Sequence, residues 1–189
     1  MSLEYIQSKD FSQKFTFDDI AYTDFENCIF TDCDFTMADF TGTAFIDCTF
    51  KGCNFQFARI NYVALRGAAF TDCDFSDVNF AMVDQLLFDI SFTGCILDYA
   101  KFYTLKLPKT VFGNCSIVAA DFMAADLTEA VFDNCNLHKS VFMDTIANKT
   151  DFSTSYNFTI DPEKNKLKKA RFSKDGLAGL LTKYEIIVA

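Results

Sequence analysis

The chain has 189 residues, enough for one domain with a core, and half of them are apolar. No run of 18 apolar residues occurs, which excludes a membrane-spanning helix, and a formal charge of -9 argues against direct binding to nucleic acid or to an anionic membrane. Phe contributes 24 residues and Trp none, while 7 Gly and 2 Pro leave ordinary loop punctuation scarce.

The opening stretch, MSLEYIQSKDF, lacks a basic segment followed by an apolar one, so no export signal is read there. With eight Cys, the expectation is a cytoplasmic protein whose thiols stay free. From Phe15 onward an apolar residue falls on every fifth position: Phe15, Ile20, Phe25, Phe30, Phe35, Phe40, Phe45, Phe50, Phe55, Ile60, Leu65, Phe70, Phe75 and Phe80. After a slip of two residues, placed within 81–86 and read as a bulge on one turn, the series resumes. It then runs Leu87, Phe92, Leu97, Phe102, Leu107, Phe112, Ile117, Phe122, Leu127, Phe132, Leu137, Phe142, a weak Ala147, and Phe152.

A period of five fits neither a helix nor a strand. It fits a chain that turns a corner every five residues and drives one large side chain inward at each turn. Four corners make a square coil of about 20 residues, and such coils stack as a β-solenoid. The position two residues before each centre is a second, smaller inward site. All eight Cys occupy it: Cys28, Cys33, Cys48, Cys53, Cys73, Cys95, Cys115 and Cys135. Six of these, from Cys33 to Cys135, fall into one column if the bulge keeps the faces in step. Their spacing is unlike that of a structural zinc site, which gathers four ligands at a point. Core packing by small, soft side chains is the preferred reading, with a metal or redox ladder as the alternative.

The units CDFTM, ADFTG, CNFQF, CDFSD, ADFMA and ADLTE closely resemble the pentapeptide repeat family over roughly residues 15–154. The resemblance implies an all-β, right-handed quadrilateral β-helix; the hand comes from the resemblance alone. The organisation expected is a repeat β-helix with its N-terminal cap over 1–154. A last partial coil, a short helix and a strand follow over 155–189, as a cap or a dimerisation module.

No catalytic constellation, cofactor motif or metal-ligand set is read, and an enzyme is not expected. His138 is the single His and points outward with no patterned partner. Asp residues that directly precede a centre suit turn positions, where Asp and Asn bond their own backbone. The outward apolar residues Phe17, Phe57, Tyr62, Phe88, Tyr99 and Tyr103 would mark an interface only if the fold gathers them, and the sequence leaves that open.

After Phe152 the repeat fades, although Leu167 and Phe172 keep the register. Ser173 reads as a helix N-cap, KDGLAGLLTKY as a short helix and EIIVA as a closing strand. In the quinolone-resistance group of pentapeptide proteins, which this chain resembles, a similar tail forms a dimer. The resemblance thus implies a homodimer through Leu177, Leu180, Leu181, Tyr184, Ile186 and Ile187.

Charge is unevenly spread. Residues 18–98 hold 14 acids and three bases, a net of -11; residues 155–189 hold four acids and seven bases, a net of +3. The candidate partner-binding surface is Asp24, Glu26, Asp32, Asp34, Asp39, Asp47, Asp72, Asp74, Asp77, Asp89 and Asp98. Seven coils at ~4.8 Å would make a rod of ~34 Å, on which duplex DNA carries about 20 charges, so the repeat reaches about 60% of that density. Members of the resembled group mimic duplex DNA and bind DNA gyrase or topoisomerase IV, which implies a type II topoisomerase as partner and an effect on quinolone sensitivity. The alternative is a general interaction scaffold with an unrelated partner.

Overall fold

The computed structural model describes residues 4–15 and 20–186. Its backbone winds as a four-sided β-solenoid in which each coil pairs, in parallel, with the next. The first face is a four-stranded sheet of β1 (Glu4–Gln7), β3 (Thr23–Glu26), β5 (Ala44–Ile46) and β7 (Ala64–Arg66). The second is a seven-stranded sheet: β2 (Asp10–Phe11), β4 (Ile29–Thr31), β6 (Thr49–Lys51), β8 (Ala68–Thr71), β9 (Ile90–Thr93), β10 (Val111–Gly113) and β11 (Val131–Asp133). The third and fourth faces are files of single parallel bridges. One runs Lys14, Asp34, Asn54, Asp74, Ile96, Ser116, Asn136 and Tyr156; the other includes Asn79, Lys101, Asp121 and Val141. A shift of 20 residues takes a position to its neighbour in the next coil, as the sequence period requires, except for 19 from β1 and β2 and 22 across the slip.

The corners explain the period. Most corners, five residues apart, take a left-handed conformation, with φ from about +50° to +63° at 24 non-Gly positions before the tail. For an L-residue that conformation is unfavourable by about 1–2 kcal/mol, least for Asn and Asp. The compensation lies inside, where each corner delivers one large side chain to the core. On the second face nine Phe rings form one stack: Phe11, Phe30, Phe50, Phe70, Phe92, Phe112, Phe132, Phe152 and Phe172, at centroid separations of 4.7–5.5 Å. Rings on adjacent faces meet edge to face, as Phe45 does with Phe50 at 5.1 Å. Offset stacks along the rod and T-shaped contacts across it are both favoured by the ring quadrupole.

Where the small inward position holds a polar side chain, it makes a contact that spacing alone did not reveal: the side chain donates a hydrogen bond to the carbonyl of a centre residue in the preceding coil, whereas Ala38, Ala58 and Val63 fill the same position without one. Thr43 donates to Ile20 O at 2.7 Å, Thr150 to Leu127 O at 2.7 Å and Ser155 to Phe132 O at 2.7 Å. Thiols do the same more weakly, with Cys53 to Phe30 O at 3.4 Å and Cys135 to Phe112 O at 3.2 Å. A buried polar side chain is tolerated here because its donor is satisfied.

The two extra residues lie between Asp84, which pairs with Ala64, and Ile90, which pairs with Ala68, a stretch that overlaps the end of the expected 81–86 and extends past it. Two sequence expectations are corrected. Leu87 is no core centre: it is 73% exposed at φ +56°. Phe88, expected to point outward, is half-buried and packs on the core instead. Ile90 and Leu105, both buried, are large residues at the small inward position. They stand at the bulge, where the expelled Leu87 leaves the first-face column short of one side chain.

The tail is helical over a 3-10 turn (Asp175–Leu177), α1 (Ala178–Leu181) and a second 3-10 turn (Thr182–Tyr184). Ser173 Oγ accepts the Gly176 N–H at 2.9 Å, the capping contact expected of it. Of the closing strand, Glu185 adopts a left-handed turn and Ile186 forms no strand, while Ile187 and the last two residues lie outside the described residues.

Candidate functional site: the acidic surface and the tail

The candidate acids fall into two structural groups. Those directly before a centre are half-buried on a face and fold onto their own backbone. Asp34 Oδ1 accepts the Thr36 N–H at 3.0 Å, Asp39 Oδ1 that of Thr41 at 3.0 Å, and Asp74 Oδ1 that of Ser76 at 2.9 Å. Each has a further partner: Lys14 on Asp34 (3.0 Å), Arg59 on Asp39 (3.8 Å) and Gln56 Nε2 on Asp74 (2.7 Å). Hydrogen bonds from Thr36, then the Lys14 ammonium, hold the Asp34 carboxyl below the usual range, at about 2. Asp98 bridges coils by accepting from Ser116 Oγ at 2.7 Å and Val118 N at 2.8 Å. Asp24 and Glu26 lie on β3, and Glu26 accepts the Tyr5 hydroxyl.

The second group stands at the corners, fully exposed: Asp32, Asp47, Asp72 and Asp77, all at positive φ. Asp89 joins them beside the bulge, exposed just before β9 and without a positive φ. At the corner between the second and third faces the file reads Asp32, Gly52, Asp72, Gly94. Each Asp carboxylate folds over the following Gly, occupying the space a Cβ would need. Alternating Asp with Gly spaces the carboxylates two coils apart, which lessens their mutual repulsion. These five acids carry no ion pair among the described residues, and they, rather than the turn-forming acids, present free charge. The sequence signal was available for the first four: they sit two residues after a centre, not one before it.

All eight Cys are free and buried. Burial pushes the Cys48 thiol up to about 12 and the Cys33 thiol up to about 11, so both are neutral at pH 7. Among the described residues no group of three or more His, Cys, Asp or Glu is arranged to hold a metal ion, and no helix is long and apolar enough to cross a membrane.

Exposed apolar residues line two neighbouring corners. Met37, Phe57 and Tyr99 stand along the corner between the third and fourth faces, with Asp77 between Phe57 and Tyr99. Tyr22 and Tyr62 follow the next corner, and Leu86 and Leu87 project from the bulge beside it; all are exposed. Tyr103 lies between the two lines, on the fourth face. Phe17 lies outside the described residues.

At the tail, Leu180 packs on the solenoid core and Leu181 is half-buried, whereas Leu177, Tyr184 and Ile186 are exposed. Lys183 Nζ bonds Asp161 (2.8 Å) and Glu163 (2.6 Å), and the Tyr184 hydroxyl donates to Glu163 at 2.9 Å. Ile160 N–H donates to Gly179 O at 3.0 Å. Phe158, buried between Phe152 and Phe172, closes the stack beneath the helix. Helix and last coil are therefore tied by backbone, ion pair and apolar contact.

Comparison with known proteins agrees with this architecture. A family model described as a pentapeptide repeat region matches residues 23–85, and one described as pentapeptide repeats (8 copies) matches residues 120–155. No curated protein sequence matches the chain. Among solved structures, full-length QnrB1, a plasmid-mediated fluoroquinolone resistance protein, aligns with TM-score 0.51 at 18% identity, covering 96% of this chain and 100% of that one. A trypsin-treated QnrB1 variant aligns with TM-score 0.52 at 19% identity, covering 98% of each chain. At such identity the likeness concerns the fold. Two matched regions spanning just over half of the chain, on a four-sided coil of five-residue units, make this chain a member of the pentapeptide repeat family.

Proposed function

We propose that this protein is a non-enzymatic, cytoplasmic DNA mimic that occupies a basic, duplex-binding groove of a type II topoisomerase and so modulates quinolone sensitivity. The observation that carries the reading is the concentration of a net -11 in residues 18–98, on a rod of stacked coils. Exposed corner acids on successive coils offer charge along a rod axis, as phosphates do. The structural likeness to a fluoroquinolone resistance protein over nearly the whole length of both chains supports the same reading. In this reading the tail dimerises through Leu177, Leu180, Leu181, Tyr184, Ile186 and Ile187, lengthening the rod; of these, Leu177, Tyr184 and Ile186 are the exposed contact residues among the described ones.

A supercoiling assay with purified gyrase or topoisomerase IV, with and without a fluoroquinolone, tests it. The expected result is a change in supercoiling or in drug-induced cleavage that weakens steeply with salt and with Asp32→Asn, Asp47→Asn, Asp72→Asn and Asp77→Asn combined. No effect and no binding at low salt would refute it. A second reading, a scaffold for an unrelated protein, is favoured by the exposed ridge of Met37, Phe57, Tyr62, Tyr99, Leu86 and Leu87. A pull-down that is insensitive to salt but lost in Phe57→Ser and Tyr99→Ser would support that reading instead.

A further inference from the structure

The first face and its corner with the second face carry opposite charge at their two ends. In the early coils the outward positions hold Asp24, Glu26, Asp47, Asp84 and Asp89, against one base, Arg66. Arg66 is already engaged, by Asp84 at 3.6 Å and by the Leu86 carbonyl at 3.3 Å. Beyond the bulge the same positions hold Lys106, Lys109, Lys149, Lys166, Lys168 and Lys169, against two acids, Asp126 and Glu129. Glu129 is engaged by Lys149; the other five lysines make no ion pair among the described residues. The face is continuous across the sign change. Ala64 bridges to Asp84, Gln85 Oε1 accepts the Lys106 N–H at 3.4 Å, and Lys106 bridges on to Asp126, Ile146 and Lys166. The net charge is thus -4 on the early half of this face and +4 on the late half.

We infer that this face binds a second copy of the chain, lying antiparallel alongside the first. In that arrangement the acidic half of each copy covers the basic half of the other. A two-fold axis passes near the bulge, and the contact is isologous, with the same surface used on both partners. A partner of one sign, such as duplex DNA, would match only half of the face and be repelled by the rest. The match of magnitude, the shared face and the near-central boundary together favour a self-complementary partner. Because the facing groups are exposed, the attraction is screened at high salt, where the Debye length shrinks to a few ångströms. The apolar tail contact proposed above does not depend on salt in this way. The pairing also needs no topoisomerase, so its failure and that of the proposed function are separable.

Sedimentation velocity of the full chain at 20 mM and 500 mM NaCl tests the inference. The expected result is an assembly of twice the mass at low salt, with an apparent Kd at least tenfold weaker at high salt. Lys106→Glu/Lys166→Glu/Lys168→Glu makes both halves of the face net acidic, and Asp24→Lys/Asp47→Lys/Asp89→Lys makes both net basic. Each variant alone should lose the salt-sensitive species, and a one-to-one mixture should regain it as a heteromer. A wild-type mass that is the same at both salt concentrations overturns the inference. So does a mixture that fails to associate, or a lysine variant that keeps its mass but loses binding to a short DNA duplex.

Discussion

Gly179→Ala reverses the usual effect of placing Ala in an exposed helix. In a free helix the change is stabilising by about 1 kcal/mol. Here the added Cβ would lie 2.9 Å from Phe158 Cδ2 and 3.0 Å from Cε2, and inside contact of the Phe158 carbonyl oxygen, which is backbone and cannot swing aside. Relieving that overlap costs about 1–3 kcal/mol. Lifting α1 to do so breaks the Ile160 to Gly179 hydrogen bond (3.0 Å), worth about 1 kcal/mol. It also uncovers the packed face of Leu180, worth about another 1 kcal/mol at partial burial. The losses outweigh the propensity gain, leaving about 2–4 kcal/mol of destabilisation. In a solenoid each coil contacts only its neighbours, so the loss should stay at the tail. Hydrogen exchange at the Ile160 amide should quicken by about 30-fold to several hundred-fold, while the amides of β4 and β6 keep their protection. If the tail is also the dimer contact, light scattering should report the monomer mass. A variant as stable as the parent, with Ile160 still protected, would refute the packing argument.

Further outcomes follow from the same geometry. Phe50 is fully buried between Phe30 and Phe70, so Phe50→Ala should cost about 3–5 kcal/mol and Phe50→Leu under about 1.5 kcal/mol, read by denaturant unfolding. Cys135→Ser should cost under about 1 kcal/mol, because Ser155 and Thr150 make the same inward hydrogen bond; Cys135→Leu should cost several-fold more, since the site beside Phe132 is closed. Native protein at pH 8 should leave its thiols unmodified by a disulfide reagent on a timescale that fully titrates the unfolded chain. Asp34 is held at about 2 when folded, against about 3.9 when unfolded, so its contribution is fully present above pH 4 and is lost as pH falls toward 2. It is well under 1 kcal/mol because the group is partly exposed. A melting temperature that rises between pH 4 and pH 2 would contradict the sign.

Much of this molecule was legible in the chain itself. Apolar side chains at a strict interval of five require a corner every five residues, and no regular helix or strand can satisfy that spacing. The cysteine column followed from counting units with the slip read as a bulge, since positions one coil apart share a face. The sequence could also assign turn-forming Asp residues, because an Asp before a corner bonds its own backbone wherever the coil runs. What it could not place was the outcome at the slip. Two extra residues can be absorbed at several points, and only the pairing of Ala64 with Asp84 and Ala68 with Ile90 locates them. That choice sent Leu87 into solvent and drew Phe88 inward, against the five-residue reading, because the backbone chose the register and the side chains followed. Tertiary structure likewise decided which acids carry free charge, since Asp34 and Asp32 differ by two residues in sequence but by a hydrogen bond and a lysine in space. It also decided which residues share a face. The period sets the coil, whereas the sign change along the first face and the apolar ridge by the fourth exist only once distant coils are stacked.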